Sequence, residues 1–425
     1  MKILIVAEHA SSKFGGEAFL PLNYFRLLRK RNIDARLLVH QRTQAELESL
    51  LPEECDRMYF VSDTWVHLLL WRLGEFLPRR LALITTDLIS HLYTQRIQRQ
   101  IVREFVEQKK IDVVHEPILV SPKFPSLMFD VGVPVVIGPM NGAIEYPPGF
   151  RYLQSWFVDL IVSLGRKLSN FANYLIPGKL QAEILLVANQ RTRKALPLGH
   201  HGTVLELVEN GVDTSVWQGV KSKTESNKKT SFVFIGRLVD WKAVDLLLQA
   251  FSVVAARLNV CLKIIGDGKQ REILEAQTKQ LNLNSKVTFY GWLSQKECAD
   301  KLNNSDVLVL PSLLECGGAV VLEAMAMGIP VIATKWGGPA DYLNESCGIL
   351  IEPTSKEALV NGFIDAMEKL AKSPQLRSQL GNAGKERVRE NFDWERKIDR
   401  ILEIYDLATA INVPAKIVNS VNPDE

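Results

Sequence analysis

Two carboxylates, Glu315 and Glu323, lie in the run PSLLECGGAVVLEAMAMGIPVIATKWGG from Pro311 to Gly338. A glycine pair, Gly317 and Gly318, sits between them and leads into the apolar stretch AVVLEAMAM. Glycines let backbone come close to a ligand, and the free N–H groups and dipole at a helix start favour an anion. A phosphate fits that description. Glu323 falls about one turn inside the predicted helix, and helical side chains lean toward the N-terminus, so its carboxylate points back at the ligand mouth. There it can accept hydrogen bonds from two ribose hydroxyls. A bare pair of glutamates at this spacing is common on surface helices. The glycines and flanking apolar runs set this pair apart.

A second group is FIGRLVDWKAVDLLLQAF, in which Arg237 and Lys242 follow an apolar run ending at Ile235 and precede a helical pattern. Two cations at the mouth of a sheet suit a diphosphate, because Arg forks onto two oxygens while Lys acts as a compact point charge. An isolated Arg and Lys in a loop would read as solvated surface charge. Two absences bear on the same chemistry: the chain has no Asp-x-Asp, and no histidine and carboxylate cluster at metal-ligand spacing along the sequence. We therefore expect no metal site, with the diphosphate charge met by Arg237, Lys242 and a helix start.

These groups need a scaffold that presents loops at strand ends. DVLVLPS reads as a buried strand, AVVLEAMAM as a helix starting near Ala319, and Gly328 with Pro330 as its stop before the strand VIAT. The same alternation runs through SFVFIGR, a helix over Val244 to Arg257, CLKIIGDG, a helix over Arg271 to Leu281, and VTFYGWL. In the first half, KILIVAE, a helix across Phe19 to Arg31, DARLLVH, IDVVHEP and VPVVIGP repeat it. Such alternation specifies parallel sheets with helices on both faces. At 425 residues, two domains of roughly 200 residues each are the natural division. The polar, charged run WQGVKSKTESNKKT is the clearest linker. We accordingly expect a first domain over residues 1–216, a linker over 217–230, a second domain over 231–395, a C-terminal helix over 396–413 and a loose tail over 414–425.

Both motifs, taken with their neighbours, resemble the retaining glycosyltransferases of family 4, which have the GT-B fold of two Rossmann-like domains facing across a cleft. The resemblance implies that Glu315 contacts the transferred sugar, that Glu323 binds the nucleotide ribose, and that Gly317, Gly318, Ala319 and Val320 line the donor. FIGRLVDWKA is similar to the family's GRLxxxKG motif, with Ala243 at the second glycine, which gives Arg237 and Lys242 the diphosphate. KIIGDGKQRE is similar to a strand and turn near the nucleotide, although its glycines alone are not a dinucleotide fingerprint. TFYGWLSQKE resembles the segment whose backbone, here around Gly291 and Trp292, meets the base; simple packing of Trp292 is the equal alternative. VENGVDTSVW resembles the family's turn at the end of the first domain. Cys316 stands where the family usually has glycine, and Gly317 where it often has an aromatic, so the choice of sugar stays open.

The first domain carries the resemblance more thinly. Gly15 and Gly16 in SSKFGGEAF are similar to paired glycines that approach donor phosphate and acceptor, with Glu17 beside them. Asn141 and Glu145 in IGPMNGAIEYPPGF, and His115 in DVVHEP, are further acceptor-side candidates at strand ends. A lone histidine at such a place is more often structural. The histidine that many relatives carry near the sugar has no counterpart in this chain.

The function implied is transfer of a sugar from a nucleotide diphosphate sugar to an acceptor hydroxyl with retention, in polysaccharide, glycolipid or glycoside biosynthesis. Retention without an evident covalent nucleophile implies a front-face mechanism in which the leaving phosphate helps to take the acceptor proton. The acceptor would be a sugar, a lipid-linked or a small molecule, and no cofactor beyond the donor is implied. Two alternatives remain: a nucleotide-sugar 2-epimerase on the same fold, and a non-catalytic subunit that binds nucleotide sugar. A net charge of +3 argues against a broad nucleic-acid footprint. Five scattered cysteines without a CxxC pair argue against a disulfide framework or zinc site, and a reducing cytoplasm fits them. Neither a signal peptide nor a transmembrane helix is expected. The stretch SWFVDLIVSLGRKLSNFANYLIPGK and the face bearing Arg96, Arg99 and Arg103 fit either core-packing helices or a basic surface on anionic lipid.

Overall fold

The computed structural model describes residues 1–13, 16–76, 85–118, 120–154, 165, 168–214, 216–217 and 229–411. Its chain divides into two compact units. The described residues of Met1–Ala143, Ile161–Glu209 and Ile398–Glu425 form the first, and those of Ile144–Leu160 and Asn210–Lys397 the second.

The first unit is built on seven strands: β1 (Lys2–Val6), β2 (Asp34–His40), β3 (Met58–Val61), β4 (Val113–Glu116), β5 (Val135–Met140), β6 (Ile184–Val187) and β7 (Thr203–Glu206). They pair in the order β3-β2-β1-β4-β5-β6-β7, every pair parallel. Strands covered on both faces carry unbroken apolar runs, and Leu4, Val6, Leu38, Val114, Ile137 and Leu185 meet in one core with Val102 and Phe105 of the helix Thr86–Lys109. Sequence patterning reaches β1, β2, β4 and β5. It misses β3, β6 and β7, of four residues each. Ile398, Ile401, Tyr405 and Ala408 are fully buried along one stripe of the helix Trp394–Ile411, the spacing of a helix face packed on a core.

The second unit has six strands: β8 (Thr230–Ile235), β9 (Val260–Ile265), β10 (Val287–Gly291), β11 (Val307–Leu310), β12 (Val331–Thr334) and β13 (Gly348–Ile351). Their order is β10-β9-β8-β11-β12-β13, again with parallel pairs throughout. Chain direction across the sheet reverses between β8 and β11, the place where ligands of doubly wound sheets sit beyond the strands' carboxyl ends. Helices Val244–Arg257 and Ala319–Ala326 begin within the loops after those two strands.

A cut at residue 216 misassigns two pieces. Ile144–Leu160 and the described residues of 210–217 belong with the second unit. Their contacts explain it: the Trp336 indole N–H donates to the Glu145 carbonyl at 2.7 Å, Phe150 is buried, and the Asn210 amide donates to the Tyr342 hydroxyl at 2.9 Å. Most of the expected linker and all of the expected tail fall outside the described residues, as do Trp156, Phe157, Arg166 and Lys167. Arg99 and Arg103 are committed to the fold rather than to a free basic face, since their guanidinium groups donate to the Phe129 and Asp130 carbonyls at 2.8 Å each. No helix among the described residues is long and apolar enough to cross a membrane.

Candidate active site

Backbones converge at the carboxyl ends of β8, β9 and β10. A Cβ added to Gly266 would lie 1.9 Å from the Gly236 carbonyl oxygen, and Gly266 N–H donates to the Gly291 carbonyl at 2.8 Å. The glycine of KIIGDG is thus a packing requirement that opens the strand ends. On the other side of β8, the loop after β11 folds against the loop after β12. Gly338 N–H donates to the Glu315 carbonyl at 2.8 Å, and a Cβ on Gly338 would meet the Gly317 carbonyl oxygen at 1.8 Å. Nothing in the sequence gives Gly337 and Gly338 this part.

Into this frame the two motifs bring their charged groups. Lys242 ends the short 3-10 turn Asp240–Lys242, and its ammonium forms an ion pair with the Glu315 carboxylate, both side chains largely buried. Arg237, just beyond the end of β8 at Ile235, is exposed; its guanidinium stands 6.0 Å from the Trp241 ring centroid and meets no carboxylate among the described residues. Ala243 adopts a left-handed conformation, φ 51°, at the start of Val244–Arg257. That is the backbone state for which glycine is the usual residue.

Gly318 begins the helix Ala319–Ala326 at φ 88°, and the first bond of the turn is Val321 N–H to the Gly318 carbonyl at 2.9 Å. The N–H groups of Ala319 and Val320 find no acceptor among the described residues, as expected at a helix start. Glu323 lies one turn further in. Its carboxyl has no hydrogen-bond partner among the described residues, and burial alone pushes it up to about 7. The same enclosure, with the Glu323 and Glu297 charges behind it, raises the Cys298 thiol to about 11. Gly291 closes β10 at φ 71°, and Trp292 beyond it is 76% exposed, so it does not pack into the core.

The segment 144–146 adds groups that the sequence did not connect with these loops. The Ile144 side chain lies against Gly337, itself on the Glu315 carbonyl, and the Asp240 charge helps, after burial, to raise the Tyr146 hydroxyl. Glu145 therefore belongs beside the loop after β12 of the second unit, through its carbonyl on Trp336, and not among first-unit residues.

The first-unit candidates are dispersed. Gly15 lies outside the described residues. Gly16 starts the helix Gly16–Lys30 with open space around it, and Glu17 is exposed by surface area, although desolvation first and the Glu209 charge second raise its carboxyl. Asn141 is buried and donates to the Glu209 carboxylate at 2.7 Å while accepting from Arg191 at 3.3 Å, which makes it a bracing group of this unit. His115 must be withdrawn from the acceptor side. It is fully buried, with Nε2 on the Gly138 carbonyl at 2.7 Å and Nδ1 on the Tyr405 hydroxyl at 2.6 Å.

Histidines overlooked in sequence gather instead at the carboxyl edge of the first sheet. His40, Asp63 and His67 bring ligand-type atoms within 4.8 Å of one another, although no such cluster is visible in sequence spacing. His40 Nδ1 accepts from Arg42 N–H at 3.3 Å and His67 Nδ1 from Thr64 N–H at 3.1 Å. Burial, the leading cause in each, lowers both pKa values, so both rings are neutral near pH 7 and carry the proton on Nε2. An ion held by both rings there would require both of these backbone N–H bonds to give way. Nearby, His91 Nδ1 lies 2.7 Å from the Glu8 carboxylate.

Residues 217–387 match the family model described as Glycosyl transferases group 1. An uncharacterized glycosyltransferase of Methanocaldococcus jannaschii is 30% identical over 177 residues, which are 41% of this chain and 44% of that protein. The chain spans about half the length of the curated relatives it matches. A glycosyltransferase from Rickettsia africae ESF-5 superposes with a TM-score of 0.66 at 14% identity, covering 96% of this chain and 98% of that one. Anabaena HepE, solved in complex with UDP, gives 0.64 at 16% identity, covering 96% of this chain and 100% of its own. At these identities the likeness is one of fold, and the fold is GT-B, as the motif resemblance implied.

Proposed function

From a chain whose residues 217–387 are a glycosyl transferases group 1 domain, we propose an enzyme that moves a sugar from a nucleotide diphosphate sugar to an acceptor hydroxyl with retention at the anomeric carbon. The observation that carries this reading is the pairing of Lys242 with Glu315 beside the unfilled N–H groups of Ala319 and Val320. A cation, a carboxylate and a helix start are what a diphosphate and its sugar need in one place. In the proposed complex Lys242 turns from Glu315 to the diphosphate, and Glu315 is released to accept hydrogen bonds from the sugar. Arg237, without a carboxylate of its own among the described residues, supplies the second cation. Glu323 takes the ribose hydroxyls, and Gly291 with Trp292 flanks the base. The departure proposed is front-face, with the leaving phosphate receiving the acceptor proton. The diphosphate charge is met by these side chains, and we propose that no bridging metal is needed.

HepE was solved with UDP and with UDP-glucose, which supports uridine nucleotides as the first ligands to try. The test is a thermal-shift panel of nucleoside diphosphates and their sugars on the wild type and on Glu323→Ala. A ligand at about 100 times its dissociation constant stabilises the fold by about 2.7 kcal/mol. Charge-assisted hydrogen bonds of the kind assigned to Glu323 are worth about 1.5 to 3 kcal/mol, so the variant should bind both nucleotide and donor about ten- to hundredfold more weakly. No shift with any nucleotide, or an unchanged affinity in Glu323→Ala, overturns the assignment.

A further inference from the structure

Residues 144–150 run across the second unit as a strap that meets the loops after β12 and β13. At one end the Trp336 indole N–H donates to the Glu145 carbonyl at 2.7 Å, and Ile144 Cδ1 lies 2.6 Å from where a Cβ on Gly337 would stand. At the other end a Cβ on Gly149 would fall 2.0 Å from the Thr354 carbonyl oxygen, and Phe150 is buried. Pro147 and Pro148 join the two anchors. Proline fixes φ and has no N–H to satisfy, which makes the connection stiff. Gly337 is caught between this strap and the backbone of Glu315. A Cβ on it would also meet the Glu315 carbonyl oxygen at 2.1 Å, and the next residue, Gly338, donates its N–H to that same oxygen at 2.8 Å. At φ 64° the backbone there suits glycine alone. The loop bearing Glu315 is thus held on one side through Gly337 and Gly338, and on the other by the Leu313 N–H on the Trp241 carbonyl at 2.8 Å.

We propose that the strap positions Glu315 for the transferred sugar and that Trp336 is the positioning residue through which it acts, an inference that rests on the sugar role given to Glu315 above. In that reading the Glu315 carboxylate changes partner, from Lys242 to sugar hydroxyls. A side chain that must reorient keeps its aim only if the main chain beneath it stays in place, and a misplacement of about 1 Å is enough to cost rate. The strap supplies that support from outside the Lys242 turn, so it persists when Lys242 turns to the diphosphate. Glu323 and Gly291, assigned to ribose and base, stand in the helix Ala319–Ala326 and at the end of β10, so the strap bears on the sugar end of the donor.

The experiment takes the full chain as wild type, Trp336→Phe, Gly149→Ala and, as a control, Trp71→Phe, an exposed residue of the first unit. Each is followed by amide hydrogen exchange without ligand and by titration with UDP and with UDP-glucose. Trp336→Phe keeps a ring and removes the N–H, whereas Gly149→Ala pushes the strap off its far anchor without touching residues 336–338. In both, the Gly338 amide should exchange about tenfold faster than in wild type, the protection lost with about one hydrogen bond. UDP should bind as before, and UDP-glucose about tenfold more weakly. Trp71→Phe should match wild type throughout. Wild-type exchange at Gly338 in both strap variants overturns the proposal whatever the nucleotides do. An equal loss of UDP and UDP-glucose affinity also overturns it, since a general loss of structure, and not a misplaced Glu315, would then be at work. Failure of wild type to bind UDP would sink the glycosyltransferase reading instead, and faster exchange in the strap variants would still establish the hold on Glu315.

Discussion

Glu323 carries the most testable chemistry of any single residue. Burial raises its carboxyl from 4.5 to about 7, so it is partly protonated in the ligand-free protein at neutral pH. Ribose hydroxyls donate to the ionised form, hence nucleotide affinity should rise with pH up to about 7, level off above it, and fall about tenfold per unit below it. Titration calorimetry with UDP between pH 5.5 and 8.5, taken as an order-of-magnitude sweep about that pKa, checks this. Glu323→Gln should flatten the curve, and a flat wild-type curve would refute the ribose role. The linkage to stability has a definite sign. A folded-state pKa above the unfolded one stabilises the fold below pH 4.5, and that contribution is lost as pH rises through about 7. Glu323→Gln should therefore gain on wild type over that window, by up to about 3 kcal/mol in unfolding free energy. Lys242→Met removes the cation and leaves Glu315 without its partner. Charge on the leaving diphosphate grows as the glycosidic bond breaks, so turnover should fall by a factor on the order of 100 to 1000, with a smaller change in donor affinity. Near-normal kcat would remove Lys242 from the leaving-group site.

At the scale of elements, the loops after β8, β11 and β12 work as one piece because their backbones touch. Gly338→Ala would drive a Cβ to 1.8 Å from the Gly317 carbonyl oxygen, and backbone cannot yield as a flexible side chain can. It should displace the start of Ala319–Ala326, abolish the UDP thermal shift, and lower stability by about 1 to 3 kcal/mol. Ala243 tests the reverse case. Its left-handed φ of 51° suits glycine, and Ala243→Gly should hold or raise the melting temperature, worth up to about 1 kcal/mol. A clear fall on chemical denaturation would mean that the buried methyl outweighs the backbone strain.

For the molecule as a whole, the groups proposed to meet the donor's charge are side chains and a helix start of the second unit, while its one convergence of metal-type ligands among the described residues lies in the first unit. Activity should therefore survive EDTA. Complete loss with recovery on adding magnesium or manganese would overturn the electrostatic account of the donor site and draw attention to His40, Asp63 and His67.

Much of this protein is legible in order along the chain. Apolar runs alternating with helical patterns specify two parallel sheets, because a strand covered on both faces must be apolar throughout. The motifs proposed to hold the donor are equally readable as strand, turn and helix start, since these are contiguous and carry Gly236, Arg237, Lys242, Gly318 and Glu323 themselves. Contacts of long sequence separation are not. Lys242 meets Glu315 from 73 residues away, and Tyr405 reaches His115 across 290, which turns an apparent strand-end ligand into a buried brace. Only tertiary packing moved residues 144–146 to the second unit, gathered His40, Asp63 and His67, and left Trp65 and Trp71 in solvent. The physical reason is common to all of them. Periodicity reports which face of an element is apolar, whereas a side chain's protonation, partners and exposure are set by whatever the fold brings against it.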